Sequence, residues 1–392
     1  MRRCSRIWAA SIGARPRLIK RVAASRSTYI LGLVLTLSLA ASSHASADVS
    51  AIAFERDVPF VEDVSDPDGI WAVPAGGGEA TLLVPGGINP SFAPDGDKLA
   101  FLGSQGGVQV ANIDGTSPTT VFNFNLISGR IEFGPGGQVA FATETNGGNN
   151  ANAIRAVDAD GSNLHTVYTA PAVPAGYNLG SPAFSPSGTQ IAFAQVNFPF
   201  AVPDEGLWTV NSNGSSPAPL SDGREPAYSP DGTRIAFQRF LPSSTPGELQ
   251  ADLFVSNVNG TGATNITNTV DQDEAHPAYS PDGTRIAFAA RPVGVDVDYS
   301  TEHIETIAPD GSGRTDLTSA VPGAETMPTW ANVAALPVPP GSGGEECEKA
   351  RAKLAKAKTK LKKLRRKDAP QRKIKKAKKK VSAAKQAVKS AC

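Results

Sequence analysis

Cysteine is almost absent from this 392-residue chain, which carries three, Cys4, Cys347 and Cys392. With none between Cys4 and Cys347, a disulfide-stapled core and a cysteine metal cage are both excluded for most of the chain. No apolar run reaches the roughly 18 residues of a membrane helix, which excludes a polytopic membrane protein. The sequence contains no Gly-x-Ser-x-Gly elbow, His-Glu-x-x-His helix, Cys-x-x-Cys pair or phosphate loop, so the commonest hydrolase, zinc and nucleotide signatures are missing. No catalytic residue, metal ligand or cofactor is therefore assigned. Positive charge is scarce in the middle of the chain: residues 48 to 344 carry ten Lys/Arg against 33 Asp/Glu.

What is present points to a folded, turn-rich protein. The hydrophobic fraction is 40%, with 16 Phe, four Trp and six Tyr, enough to bury a core. The 38 Gly and 31 Pro imply many turns, hence many short strands. The net charge of +1 conceals three segments. Residues 1 to 47 carry eight Lys/Arg and no acid, residues 48 to 344 are at −23, and residues 345 to 392 set 20 Lys/Arg against four acids.

The first segment reads as a signal peptide. Arginines and Lys20 precede an apolar stretch from Tyr29 to Ala41, and Ala45-Ser46-Ala47 offers small residues for cleavage after Ala47. An uncleaved anchor is the alternative. Cys4 lies before the apolar stretch, so it is not a lipid-acceptor cysteine. The expected location is extracytoplasmic, secreted or in the periplasm or cell wall, with no transmembrane span after cleavage.

Residues 48 to 334 repeat one unit. Pro226 to Phe237 and Pro277 to Phe288 are identical over twelve residues, Pro-Ala-Tyr-Ser-Pro-Asp-Gly-Thr-Arg-Ile-Ala-Phe. Weaker copies run from Pro90 to Phe101, Ile131 to Phe141 and Pro182 to Phe193. Each is a strand, a Pro-Asp-Gly type turn and a second strand, because Pro presets φ, Asp bonds the local backbone and Gly supplies the left-handed conformation. A second hairpin follows, turning at Asp114-Gly115, Asp160-Gly161, Asn213-Gly214, Asn259-Gly260 and Asp310-Gly311. Four antiparallel strands per unit result. Aromatic anchors at Phe92, Phe133, Phe184, Tyr228, Tyr279 and Trp330 recur at 41, 51, 44, 51 and 51 residues, the period of propeller blades. Ala51 to Phe54 supplies the second strand of a unit that Met327 to Trp330 begins, so the terminal strands are expected to close a sixth blade and remove the sheet edge. The fold class is all-β: a six-bladed β-propeller.

This Pro-x-aromatic-Ser-Pro-Asp-Gly-x-x-Ile-Ala-Phe repeat resembles the WD-like propeller repeat of the TolB-like family, and also propellers attached to some exported peptidases. The resemblance covers roughly residues 50 to 334 and implies a propeller fold; it is weak for function. TolB has a separate domain before its propeller to which nothing here corresponds, so a Tol-Pal role is not implied.

In a propeller the first strand of each blade is innermost. The residues before each first Pro, Asn89, Ser181, Glu225, His276 and Met327, are therefore expected to ring one mouth of the central channel. With Glu274 and Glu325 near, Asn89, Glu225 and His276 are the candidate ligand-binding residues, suited to a polar ligand or basic peptide. His165, His276 and His303 fall in different slots and are not read as one metal site. Asp158-Ala-Asp160-Gly-Ser162 looks like a calcium loop but lacks the acid at the twelfth position, where Thr169 stands, and occupies the hairpin slot. Acidic groups at Asp63, Asp66 and Asp68, at Asp271, Asp273 and Glu274, and at Asp296 and Asp298 are better cation candidates.

Residues 335 to 344 form a Pro/Gly linker. In residues 345 to 392, Cys347, Ala350, Leu354, Ala357, Leu361 and Leu364 recur at three and four, as do Ile374, Ala377, Val381, Ala384, Val388 and Ala391. Two helices separated at Asp368-Ala369-Pro370 follow, read as a Lys-rich antiparallel helical hairpin with Leu354, Ala357 and Leu361 facing Ala384, Val381 and Ala377. Cys347 and Cys392 are the only cysteines left after signal cleavage, and the hairpin brings them together as a disulfide. The tail has no aromatic residue for base stacking, which disfavours nucleic acid. Anionic envelope polymer or an acidic protein surface fits better. The expected function is a non-enzymatic envelope module binding an extracytoplasmic protein or polysaccharide at the propeller mouth. An extracellular hydrolase or lyase, or a scaffold oligomerised by its tail, is the alternative.

Overall fold

The structure, a computed structural model, describes residues 48–57, 67–104, 106–123, 127–145, 150–171, 177–197, 206–242, 249–293, 301–318 and 323–336, scattered helical residues from 349 to 361, and the helix Gln371–Ala391. Its strands form six four-stranded antiparallel sheets. Blades 1 to 5 start at Ile88–Phe92, Ile127–Phe133, Tyr177–Phe184, Arg224–Tyr228 and Gln272–Tyr279 and each continue outward in chain order. Blade 6 is composite: Ala324–Val333 is its first strand and Val49–Asp57 its second, followed by Gly69–Pro74 and Thr81–Pro85. The pairing runs from Val49↔Val333 to Asp57↔Ala324, so the ring closes by the terminal strands as the repeat arithmetic requires. The first strands of successive blades touch one another around the whole ring, which places them about the axis.

The Ile-Ala-Phe segment explains how the blades stack. Successive side chains of a strand point to opposite faces, so Ile and Phe share one face and Ala takes the other. Ile191 and Phe193 pack toward blade 2, with Ile154 and Ala156; Ala192 packs toward blade 4, with Tyr228, Ile235 and Phe237. The same division holds at Leu99, Ala100 and Phe101 and at Ile286, Ala287 and Phe288. A bulky face therefore meets a small one at each interface, and six buried clusters, one per interface, form the core. Phe54, Phe141, Phe193, Phe237 and Phe288 are completely buried.

The outer hairpins add a second contact between blades. Gly260, at φ +81°, lies so near blade 3 that a Cβ would stand 2.3 Å from the Leu220 carbonyl oxygen. Glycine is required there by conformation and by space. The Asx residue before it fixes the turn: Asn259 Oδ1 accepts from the Thr261 amide and hydroxyl at 3.1 and 2.7 Å. Asp160 does the same with the Ser162 amide at 2.8 Å, so the segment resembling a calcium loop is this turn.

In the tail, Gln371–Ala391 is helical, and Leu354, Ala357 and Leu361 belong to helical residues before it. These three, with Val381 and Ala384, are half-buried, and Ala377 is buried, whereas Lys373, Lys375, Lys376, Lys378, Lys379 and Lys380 are exposed. The apolar stripe is thus the covered one. The break at 368–370 and both Cys347 and Cys392 lie outside the described residues, as do the signal segment, Asp63, Asp66, Asp296 and Asp298.

Candidate ligand-binding site at the axial channel

Every innermost strand bulges at the same place. In blade 1 the pairing passes from Ile88↔Leu102 to Ser91↔Ala100, leaving two residues opposite one. Corresponding shifts occur in the other blades, and blade 2 accommodates one residue more, from Ser128↔Ala142 to Glu132↔Ala140. At the bulge the backbone turns left-handed: Asn89 φ 56°, Gly129 66°, Ser181 48°, Glu225 54°, His276 56° and Met327 52°. Five non-glycine residues in this region each carry a cost of about 1–3 kcal/mol. The geometry aims their side chains and amides at neighbouring blades. Glu55 Oε2 accepts from the Asn89 amide at 3.0 Å. Asn89 donates its side-chain amide to Gly129 O at 2.7 Å and accepts from the Ile131 amide at 3.0 Å. Ser181 Oγ accepts from the Arg130 amide at 3.3 Å.

Blade 2 differs from the others. Where the other five have a proline after the left-handed residue, it has Arg130. This side chain is 6% exposed. Its guanidinium donates to Pro277 O at 2.8 Å and to Pro328 O at 3.0 Å, backbone carbonyls of blades 5 and 6 on the far side of the ring. Arg130 thereby ties blade 2 to blades 5 and 6 across the channel.

One mouth is acidic. Glu225 Oε2 lies 2.8 Å from both the backbone nitrogen and the Nδ1 of His276. Burial raises the Glu225 pKa, but the imidazole, its two hydrogen bonds and Arg130 outweigh burial and hold the carboxyl below its ordinary range. Glu55 and Glu302 lie in the same field; burial pushes both upward, against the lowering pull of His276 and, for Glu55, of the Asn89 amide.

The other mouth, beside the Pro-Asp-Gly turns, holds a cavity of about 330 Å3. Its wall is aromatic and proline-rich, including Tyr228, Tyr279 and Trp330, and Arg130 and Glu132 reach into it. Burial pushes the Glu132 carboxyl up to about 7, against the lowering effects of Arg130 and the Ser91 hydroxyl. The hydroxyls of Tyr228 and Tyr279 and the Nε of Arg130 are buried and make no hydrogen bond. Both phenols are pushed up to about 12 by burial.

The ring positions expected from the repeat are brought together, with Asn89, Glu225 and His276 around the acidic mouth. Glu274 and Glu325 are elsewhere. Both are fully buried, Glu274 against Arg314 Nη1 at 2.9 Å and Thr269 Oγ1 at 3.0 Å, Glu325 at 3.5 Å from Arg56 Nε. In the acidic group 271 to 274, Asp273 accepts from the Ala251 amide at 2.9 Å and pairs with Arg291 at 3.2 Å. His303 bonds Glu305 at 2.9 Å and His165 the Asn163 carbonyl at 2.8 Å. Among the described residues no three His, Cys, Asp or Glu are grouped closely enough to hold a metal ion. No described helix is long and apolar enough to cross a membrane.

Sequence reasoning missed Arg130, Glu132 and the turn-side cavity. Two signals could have found them: the blade 2 copy lacks the leading proline, and Arg130 is one of ten basic residues in the whole propeller segment.

No family model matches the sequence, and no curated protein does. Solved structures match at fold level. TolB from Acinetobacter baumannii superposes with a TM-score of 0.57 and 18% identity over 72% of this chain, which spans 66% of that chain's length. A chain of a nidogen/laminin complex gives 0.52 and 10% identity, covering 72% of this chain and 98% of that one. A TolB from Agrobacterium tumefaciens gives 0.49 and 18% identity, covering 75% and 100%. At such identities the fold is what is shared: with six sheets closed by the terminal strands, the chain is a six-bladed β-propeller similar in fold to that of TolB.

Proposed function

We propose that the protein is an extracytoplasmic binding module that receives a protein or polysaccharide ligand at its axial channel and is held at the cell envelope by its cationic tail. The observation that carries the reading is Arg130, whose guanidinium spans the channel from blade 2 to blades 5 and 6 and lines the turn-side cavity. A recess with fixed walls captures and orients a ligand. The division of charge supports the tail's part. Of the ten basic residues of the propeller segment only Lys98 and Arg234 are exposed, whereas Asp95, Asp97, Asp222, Asp231 and Asp271 are exposed acids. Lys373, Lys375, Lys376, Lys378, Lys379 and Lys380 of the tail helix are exposed, so attraction to anionic polymer falls to the tail. A Cys347–Cys392 bridge would hold the two helical segments as one unit.

Co-sedimentation with isolated cell envelope tests the reading. Residues 48–392 should pellet at low salt and be released at high salt, since screening shortens to a few ångströms at 1 M. Residues 48–344 should remain soluble. Equal pelleting of both forms, or of neither, removes the tail as anchor. A second reading, a hydrolase or lyase acting at the mouth, draws on Glu132, whose carboxyl near 7 suits proton transfer at neutral pH. Polymer cleavage abolished by Glu132→Gln would favour it.

A further inference from the structure

In the helix Gln371–Ala391 the positive charge is not confined to one face. At 3.6 residues per turn, Ala377, Val381 and Ala384 share one narrow stripe, where Ala377 is buried and the other two are half-buried. The six exposed lysines divide between the flanks of that stripe. Lys375, Lys378 and Lys379 lie on one side and Lys373, Lys376 and Lys380 on the other, and together they span about 220° of the circumference. They also lie within about 11 Å of helix axis, roughly one charge per 2 Å, close to the one per about 1.7 Å of duplex DNA. The helix contains no Asp or Glu that could neutralise them from within. Charges packed this closely gather small anions, and a polymer that brings its own anions sets those ions free, so its binding gains entropy and weakens as salt rises.

The arrangement narrows the partner. A helix that lies on a bilayer buries its apolar face at the acyl boundary, but here the apolar stripe is already covered. A bilayer, or the acidic surface of a folded protein, is rigid on this scale and reaches one flank at a time, which leaves three of the six lysines facing away. A flexible chain reaches both flanks. Lysines three and four residues apart on one flank, such as Lys373, Lys376 and Lys380, are about 5–6 Å from their neighbours, a spacing met by a polymer with one anion in every short repeat. We infer that the tail helix binds a flexible, linear phosphate polymer along both of its flanks. The inference rests on the tail's part as envelope anchor and names the class of polymer that holds it. Lysine ammonium groups lack the planar fork of arginine, so the contact is one of charge and not of shape.

The test measures binding of residues 48–392 to poly(glycerol phosphate), hyaluronate, poly(dT) and phosphatidylglycerol/phosphatidylcholine vesicles at several salt concentrations. Poly(glycerol phosphate) is expected to bind more tightly than hyaluronate, which has one carboxylate per two sugar rings, and more tightly than the vesicles at equal anion concentration. Two triple variants, Lys375→Gln/Lys378→Gln/Lys379→Gln and Lys373→Gln/Lys376→Gln/Lys380→Gln, each keep helix propensity, which circular dichroism checks. Each should weaken binding by roughly tenfold or more and flatten the slope of log K against log salt by about two. Affinity unchanged within twofold in one triple variant means one-sided contact and overturns the inference. It is overturned equally if poly(glycerol phosphate) does not bind, if vesicles or hyaluronate bind as tightly, or if poly(dT) binds more tightly. Any of these results beside a tail-dependent, salt-released envelope pellet sinks the polymer class and leaves the anchor intact; the anchor falls only with the envelope assay itself.

Discussion

Blade 2 and its five siblings share the same interfaces but part at the inner strand. In the siblings a left-handed residue is followed by proline, whose ring cannot reach the axis. In blade 2 the pair is Gly129-Arg130, and a guanidinium crosses to blades 5 and 6. The repeat is thus fixed where packing demands it and free where the channel begins. The copy that matches the repeat least well contributes most to the site.

That contrast can be broken most severely at the shared interfaces. Phe141 in blade 2 and Phe237 in blade 4 are equivalent wedges, both completely buried. Replacing either by Ala is expected to cost about 3–5 kcal/mol in urea unfolding. A much smaller cost for Phe141 would mean that blade 2 departs from its siblings in packing as well. Arg130→Met comes next, at about 2–3 kcal/mol, because two channel carbonyls lose their donor; equilibrium unfolding measures it.

The fold was legible because its cause is local and repeated. Ile-Ala-Phe sets the bulky and small faces, Pro-Asp-Gly and Asx-Gly set the turns, and the half-units near residues 51 and 330 announce the closure. The site was only half legible. Glu225 and His276 could be placed at a mouth by their position before proline. Glu274 and Glu325 could not be told from them, since an acid in a strand looks surface-bound until Arg314 and Arg56 are found beside it. Arg130 reaches Pro277 and Pro328 across 147 and 198 residues of sequence, a partnership that no spacing discloses.

Two smaller effects sharpen the comparison. A Cβ on Gly129 would lie 2.5 Å from Ser181 Oγ and 2.6 Å from its amide nitrogen. Gly129→Ala is therefore expected to cost about 1–3 kcal/mol by thermal unfolding, although the siblings carry side chains at this position. The other effect is that of pH. Glu132 is held up at about 7, so the folded state keeps its proton after the unfolded chain has lost it. Its contribution to stability is complete below the ordinary range of Glu and declines as pH rises through 7. Glu132→Gln should raise the melting temperature at pH 8 and change it little at pH 4.5. Glu225, held below its ordinary range by His276, has the opposite sign: Glu225→Gln should lower the melting temperature at neutral pH and converge on the parent in acid. Parallel shifts in both variants would erase the distinction between the two mouths.

The composite blade also governs time. Ser50 and Trp330 touch although 280 residues separate them, so a chain synthesised from its N-terminus pairs Val49–Asp57 with Gly69–Pro74 early but leaves its other edge open until Ala324–Val333 has emerged. Contacts of such separation form slowly, and an open strand edge invites pairing with another chain in the interval. Blades 1 to 5 can assemble in order as each hairpin appears. The ring itself locks only when Ala324–Val333 is in place, which makes the emergence of that strand the moment at which this protein either closes on itself or meets a neighbour.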